Sequence, residues 1–112
     1  MRGVAVTGKG KLVRDKVPQI IRARGDEPIV RVAGAAEYRQ LLLAKLTEET
    51  DEVLAADDAD MPEELADVLG VVLALASDLG LDAAQLEELR KAKAAERGGF
   101  AERIVWFGIS GE

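Results

Sequence analysis

The stretch L-T-E-E-T-D-E-V-L-A-A-D-D-A-D-M-P-E-E-L-A-D, residues 46–67, decides the fold. It contains two acidic motifs, E-E-x-x-E at residues 48–52 and E-x-x-D at residues 64–67. On a helix, side chains three or four positions apart share a face, so the carboxylates of each motif project together. Two such helices packed antiparallel bring four carboxylates to one place. Bare carboxylates in a half-buried cluster would repel one another and take up protons, so the pattern predicts a bound cation.

Position 49 carries the strongest sign that these acids form a site. Tyr38, Leu42, Leu46 and Val53 follow the 3.6-residue period of an amphipathic helix, and Glu49 falls on the same stripe. A carboxylate that faces a core is costly unless it is paired or binds a metal. The alternative, a solvated acidic face, is common on helices rich in Asp and Glu. The inward Glu49 and the repeat of the motif on a second helix favour a site.

The composition is typical of a globular protein. At 112 residues, with 48% hydrophobic and 32% charged residues, the chain is long enough for one core, and we expect a single domain over residues 1–112. The longest apolar run, residues 68–76, is far shorter than the roughly 20 residues of a membrane span. Residues 1–10 lack the apolar segment of a secretory signal and are expected to be frayed or weakly extended. Because the chain has no cysteine, we expect no disulfides and a cytoplasmic location.

The absence of histidine restricts the chemistry further. It excludes acid–base catalysis by imidazole, a Ser-His triad and histidine metal ligands. Carboxylates must then supply any acid–base or metal-binding groups. Ligation by oxygen alone selects hard cations, Mg²⁺ or Mn²⁺ before Zn²⁺ or Cu²⁺.

The charges are strongly segregated along the chain. Residues 46–89 hold 14 acids and no Lys or Arg, whereas the flanks hold all 15 basic residues and only 7 acids. An acidic centre with basic flanks suits a metal-bound polyphosphate, although charge balance between packed helices is an alternative. A nucleic-acid polymer is not expected as a partner, because the acidic centre would repel its phosphates. A membrane is not expected either.

Periodicity and end signals predict four helices, a short one between Pro18 and Gly25 and three longer ones. We expect the longer ones at about residues 35–56, 61–79 and 83–97. Residues 28–33 and 100–109 are rich in β-formers, but the first of these stretches is too isolated to build a sheet.

Two helix starts fit the capping-box pattern, Asp60 with Glu63 and Asp82 with Gln85. The helix after Asp60 is apolar nearly all round over residues 68–76, which predicts burial at the centre of a bundle or at a subunit contact. Short connections imply antiparallel neighbours. The predicted fold is therefore an all-α antiparallel helical bundle completed by oligomerisation, as a homodimer at least.

The acidic motifs resemble those of the all-α nucleotide pyrophosphohydrolases of the MazG type, whose hallmark is EExxE followed by ExxD. The resemblance is closer to a subgroup of short single-domain members, similar to phosphoribosyl-ATP pyrophosphohydrolases. Those open with K-L-V-R-D-K-[IV]-P and close with E-R-G-G-F, here residues 11–18 and 96–100. The match covers roughly residues 10–104. The 11 residues between the two acidic motifs are at the short end for the family and leave little room for a substrate lid.

The resemblance implies a hydrolase acting on phosphoric anhydrides with Mg²⁺, for which Mn²⁺ is a possible substitute. By the family pattern, Glu49, Glu52, Glu64 and Asp67 ligate the metal. Glu48 helps to hold a second metal or orients the attacking water. Glu48 or Glu52 is then the group that positions or deprotonates that water.

The two basic motifs would meet the polyphosphate of the substrate. Their candidate residues are Lys11, Arg14, Lys16, Lys93 and Arg97. The alternative for each is an ordinary solvated charge or a partner of a helix dipole.

The expected reaction splits a nucleoside triphosphate between its α- and β-phosphates, to a nucleoside monophosphate and pyrophosphate, in a house-cleaning role. Two alternatives remain open. One is a phosphoribosyl-ATP pyrophosphohydrolase of histidine biosynthesis. The other is a non-catalytic, metal-stabilised helical interaction module.

Overall fold

The structure, a computed structural model, describes residues 10–111, and this part of the chain contains four α-helices. They are α1 Val17–Ala23, α2 Ala35–Ala55, α3 Met61–Asp78 and α4 Ala83–Arg97. The all-α class is confirmed, and among residues 10–111 the β-rich stretches form no strand. None of these helices is long and apolar enough to cross a membrane. The expectation for residues 1–10 lies, apart from Gly10, outside the described residues.

Helices α2 and α3 form an antiparallel hairpin. Near one end, the Arg39 guanidinium on α2 donates a hydrogen bond to the carboxylate of Asp78, the last residue of α3. Near the other end, Glu49 of α2 meets Glu64 and Asp67 from the first two turns of α3. The predicted antiparallel packing is therefore present, and it joins the two acidic motifs.

The predicted stripe of α2 packs on α3, but it encloses a small core. Leu42 is 2% exposed, and Val71 and Ala76 of α3 are the other buried hydrophobic residues of the described chain. The radius of gyration is 19.4 Å, against about 13 Å for a compact domain of this length. The core that the chain length allows is not closed within one chain.

Helix α3 keeps an apolar face in solvent. Leu65, Leu69 and Leu73 lie on successive turns and are 52%, 55% and 37% exposed. A groove of about 470 Å³ between α3 and α4 has Leu69, Leu73, Leu86 and Leu89 among its lining residues. Within the single chain α3 is therefore not buried at the centre of a bundle, because α4 covers only one flank of this helix. The alternative expectation, burial at a subunit contact, stays a prediction.

The two predicted capping boxes differ. At α4 the box is complete, because the Gln85 N–H donates to Asp82 Oδ1 and the Asp82 N–H donates to Gln85 Oε1, both at 2.8 Å. At α3 the Asp60–Glu63 box is wrong. The Asp60 backbone is already helical and its side chain makes no cap bond, whereas an N-cap residue needs an extended backbone to reach the next N–H groups. Instead, the Asp60 N–H donates to Asp57 Oδ1 at 3.1 Å and closes a turn.

Candidate metal centre

Three carboxylates converge at the acidic end of the α2–α3 hairpin. Glu49, Glu64 and Asp67 each offer one oxygen, and these three oxygens lie within 4.8 Å of one another. Glu64 and Asp67 share a face because they are three positions apart on α3. All three side chains are half-buried. A donor set of carboxylate oxygens, without nitrogen or sulfur, fits a hard divalent cation. We call these three residues the carboxylate trio.

Negative charge is crowded at the trio. Burial raises the pKa of Glu64 above its ordinary value, and the carboxylates of Glu52, Asp67, Glu49 and Asp60 raise it further. Within residues 10–111, the Glu64 carboxylate has no basic partner. A divalent cation would remove the repulsion that favours its protonated form.

The other two predicted acids lie beside the trio. Both oxygens of Glu48 face ammonium groups, with Oε1 at 3.6 Å from Lys11 Nζ and Oε2 at 3.5 Å from Lys45 Nζ. Glu52 is exposed and contributes no oxygen to the trio, although its charge acts on Glu64. The structure thus brings together three of the four predicted metal ligands. The assignment of Glu52 as a ligand stays a prediction.

The segment before α1 reaches the acidic end of the hairpin with two of the predicted phosphate ligands. Arg14 Nη2 donates to Asp67 Oδ1 at 2.8 Å, and Lys11 pairs with Glu48. The Arg14 guanidinium packs over α3 at Gly70, where a Cβ would lie at an ordinary van der Waals distance of 3.5 Å from Arg14 Nη2. Residues far apart in the chain therefore place positive charge against the acidic motifs.

The remaining candidate phosphate ligands lie elsewhere. Lys16 precedes α1, Lys93 lines the α3–α4 groove and Arg97 lies in the last turn of α4. In the part of the chain that the structure describes, none of the three pairs with an acid of the two motifs. Their role toward phosphate stays a prediction.

Lys45 is a residue of this site that the sequence analysis missed. Its Nζ lies 3.4 Å from Glu49 Oε1 as well as near Glu48, and its side chain is only 18% exposed. The sequence signal for this residue is its spacing of three and four residues from Glu48 and Glu49, because residues so spaced are neighbours on a helix. Lys45 lies one residue before the acid-rich segment of residues 46–89 and is therefore not part of that charge pattern.

Comparison with known families decides the affiliation. The family model described as the MazG nucleotide pyrophosphohydrolase domain matches residues 38–98, which is more than half of the chain. This chain belongs to the MazG family. The match includes both acidic motifs of the MazG chain, Lys45 and all of α3 and α4, and it excludes the basic segment before α1.

One curated relative of this MazG chain comes from Mycolicibacterium smegmatis and is described as an uncharacterized protein. It is 48% identical over 50 residues, which are 45% of this chain and 51% of the relative. The chain therefore spans about half the length of the curated relative that it matches. No solved structure matches the MazG chain.

Proposed function

We propose that this MazG protein is a Mg²⁺-dependent nucleotide pyrophosphohydrolase formed by a single domain over residues 1–112. It hydrolyses a nucleoside triphosphate between the α- and β-phosphates and releases a nucleoside monophosphate and pyrophosphate. The observation that carries the proposal is the carboxylate trio inside the region of the family match. The basic side chains of Lys11 and Arg14 beside it suit a polyphosphate.

The proposed cation lies among Glu49, Glu64 and Asp67, with Glu52 as a fourth ligand at the exposed edge. When bound, Mg²⁺ supplies Lewis-acid chemistry that neutralises the phosphate oxygens. Mn²⁺, which also prefers oxygen ligands, is the expected substitute. The raised pKa of Glu64 supports this assignment, because the group lacks the counter-charge that the cation would bring.

Glu48 is the proposed general base. The ammonium groups of Lys11 and Lys45 lie 3.6 and 3.5 Å from its two oxygens, and Lys45 keeps the carboxylate oriented beside the trio when Lys11 turns to the phosphates of the nucleotide. In this position it accepts a proton from the water that attacks phosphorus. Glu52 is the alternative base, since it lies one helical turn away on α2.

Lys11 and Arg14 are the proposed phosphate ligands. In the structure they contact Glu48 and Asp67 through exposed side chains. When nucleotide enters, phosphate oxygens replace these carboxylates as their partners. The guanidinium of Arg14 offers a planar set of donors that matches phosphate. Both charges then stabilise the negative charge that develops on pyrophosphate as it leaves.

A nucleotide panel tests this function. Ribo- and deoxyribonucleoside triphosphates and phosphoribosyl-ATP are assayed for pyrophosphate release with Mg²⁺ and with EDTA. We expect Mg²⁺-dependent release from triphosphates that is lost in Glu49→Gln, while circular dichroism shows the fold retained. Release from phosphoribosyl-ATP alone would assign the histidine-biosynthesis reaction. Metal binding without release from any nucleotide would favour the non-catalytic module.

We further propose that a second copy of the chain covers the exposed apolar face of α3. Leu65, Leu69 and Leu73 form a continuous stripe there, and a large exposed apolar patch marks an interaction surface. Light scattering should report a dimer or a larger assembly. Leu69→Glu should shift the mass toward the 12.0 kDa monomer, whereas Leu54→Glu, on α2 at a residue that is 79% exposed, should not. A wild-type monomer across the micromolar range would contradict this proposal.

A further inference from the structure

Lys45 places a fixed positive charge inside the acidic end of the hairpin. Its Nζ lies 3.4 Å from Glu49 Oε1 and 3.5 Å from Glu48 Oε2. The Lys45 and Glu49 side chains are 18% and 13% exposed, which makes theirs the most shielded ion pair among the described residues. Charges shielded from water and salt interact more strongly than exposed ones.

Helix stability is a weak explanation for this lysine. The favourable order of an i,i+4 pair places Glu before Lys, in line with the helix dipole, and here Lys45 precedes Glu49. A half-buried ammonium also loses solvation, which disfavours the position unless its partners compensate. The effect of Lys45 on the carboxylates around it accounts for its position better than any effect on α2 itself.

The ammonium lies between the trio and the proposed general base. Glu49 belongs to the trio and Glu48 does not, and Lys45 Nζ is close to an oxygen of each. The second oxygen of Glu48 faces Lys11 Nζ at 3.6 Å. A divalent cation shared by Glu48 and Glu49 would need the carboxylate oxygens that already pair with the Lys45 ammonium group.

We propose that Lys45 takes the place of a second divalent cation, so that the site binds a single metal ion at the trio. This inference rests on the proposed function and specifies the metal content of the same site. The fixed ammonium repels a second cation from the gap between Glu48 and Glu49. It also keeps Glu48 free of metal, and an unligated carboxylate remains able to accept a proton.

Counting bound Mn²⁺ ions tests the inference without any turnover. Titration of the full chain, followed by the paramagnetic resonance signal of free Mn²⁺, gives the number of ions per chain. We expect one ion in the wild type and two in Lys45→Met, where a neutral side chain of similar length releases both carboxylates. Lys45→Arg retains the charge and should bind one. Lys91→Met removes the same charge from an exposed position on α4 and should also bind one.

The double variant Lys45→Met, Glu48→Gln should return to one ion, because the second ion would need the Glu48 carboxylate. Two ions in the wild type, or one in folded Lys45→Met, would overturn the inference and leave the proposed function standing. No Mn²⁺ binding by any folded variant at millimolar concentration would instead overturn the proposed metal dependence. Circular dichroism checks each fold, and Lys45→Gln serves as the neutral variant if Lys45→Met does not fold.

Discussion

The two ends of the α2–α3 hairpin are built from the same helices, but their charged side chains are arranged in opposite ways. At one end, the Arg39 guanidinium donates to the Asp78 carboxylate, and its Nη2 lies 3.5 Å from the Asp78 carbonyl oxygen. One acid there meets one base. At the other end, Glu49, Glu64 and Asp67 crowd together, and Glu64 has no basic partner within residues 10–111.

This difference separates a structural ion pair from a candidate site. A matched pair at the junction of two helices holds them in register and requires nothing further. At the acidic end Glu49 pairs with Lys45 and Asp67 with Arg14, but Glu64 is left unmatched among the described residues. The repulsion around Glu64 disfavours the folded chain until a cation arrives, so it becomes affinity for that cation. Functional sites are the places where a chain departs from the charge pairing that it follows elsewhere. The acidic end of the hairpin is such a place.

The largest expected difference between the two ends is catalytic. Glu48→Gln at the acidic end should retain Mg²⁺ and nucleotide binding and lose turnover by about 10²–10⁴-fold, because the amide cannot accept a proton. Asp78→Asn at the other end should retain near wild-type kcat. The measurements are kcat together with Mg²⁺ and nucleotide affinity. Near wild-type turnover in Glu48→Gln would pass the role of base to Glu52, and lost metal binding would make Glu48 a ligand.

The next difference is the response of stability to metal. A cation that binds only the folded chain at 100 times its Kd adds about 2.7 kcal/mol to the free energy of unfolding. We expect Mg²⁺ to raise the Tm of the wild type and of Asp78→Asn, but not that of Glu49→Ala. Thermal melts at low salt in EDTA and in excess Mg²⁺ measure this. Equal wild-type Tm values under the two conditions would rule out a metal site at the trio.

The Arg39–Asp78 end of the hairpin should contribute less to the free energy of unfolding than the metal site does, and its contribution should be the same with and without metal. Arg39 and Asp78 are 40% and 20% exposed, and an ion pair of this accessibility contributes about 1 kcal/mol at most to stability. Asp78→Asn should therefore lower the free energy of unfolding by about that amount, equally in EDTA and in Mg²⁺. Urea unfolding of Asp78→Asn, Arg39→Gln and the double variant isolates the pair energy. A loss that appears only with Mg²⁺ would mean that the two ends are coupled.

The smallest expected effect is on the pH dependence of stability without metal. The folded-state pKa of Glu64 is raised above its ordinary value of 4.5, so the folded chain binds this proton more tightly than the unfolded chain. The resulting stabilisation is fully present below about pH 4.5 and is lost as pH rises through the folded-state pKa. In EDTA, Glu64→Gln should remove this loss of stability with rising pH, whereas the exposed control Glu63→Gln should retain it. Urea midpoints measured from pH 4 to pH 7 test the difference.

Much of this arrangement follows from local signals in the sequence. The four helices begin and end within two residues of their predicted bounds, because periodicity and end residues such as Pro18 and Gly25 act over one or two turns. The trio was expected for a similar reason. Spacing of three residues puts Glu64 and Asp67 on one face, the apolar stripe turns Glu49 inward, and a short connection leaves α2 and α3 no arrangement but antiparallel.

The contacts around the trio depended on tertiary structure. Arg14 reaches Asp67 across 53 positions of sequence, and no periodic pattern encodes such a distance. Lys45 and Glu48 share a helix, but their pairing depends on side-chain directions that spacing alone leaves open. The sequence analysis expected apolar surface on α3 that one chain does not cover, but not which residues stay exposed, since composition sets how much apolar surface a chain has and only packing sets how much of it one chain covers. Sequence alone predicted that acids of the two motifs meet, because helical geometry is local, but the structure leaves Glu52 outside the trio. Tertiary structure decided which bases face them and which apolar surface stays open, because those contacts join distant segments.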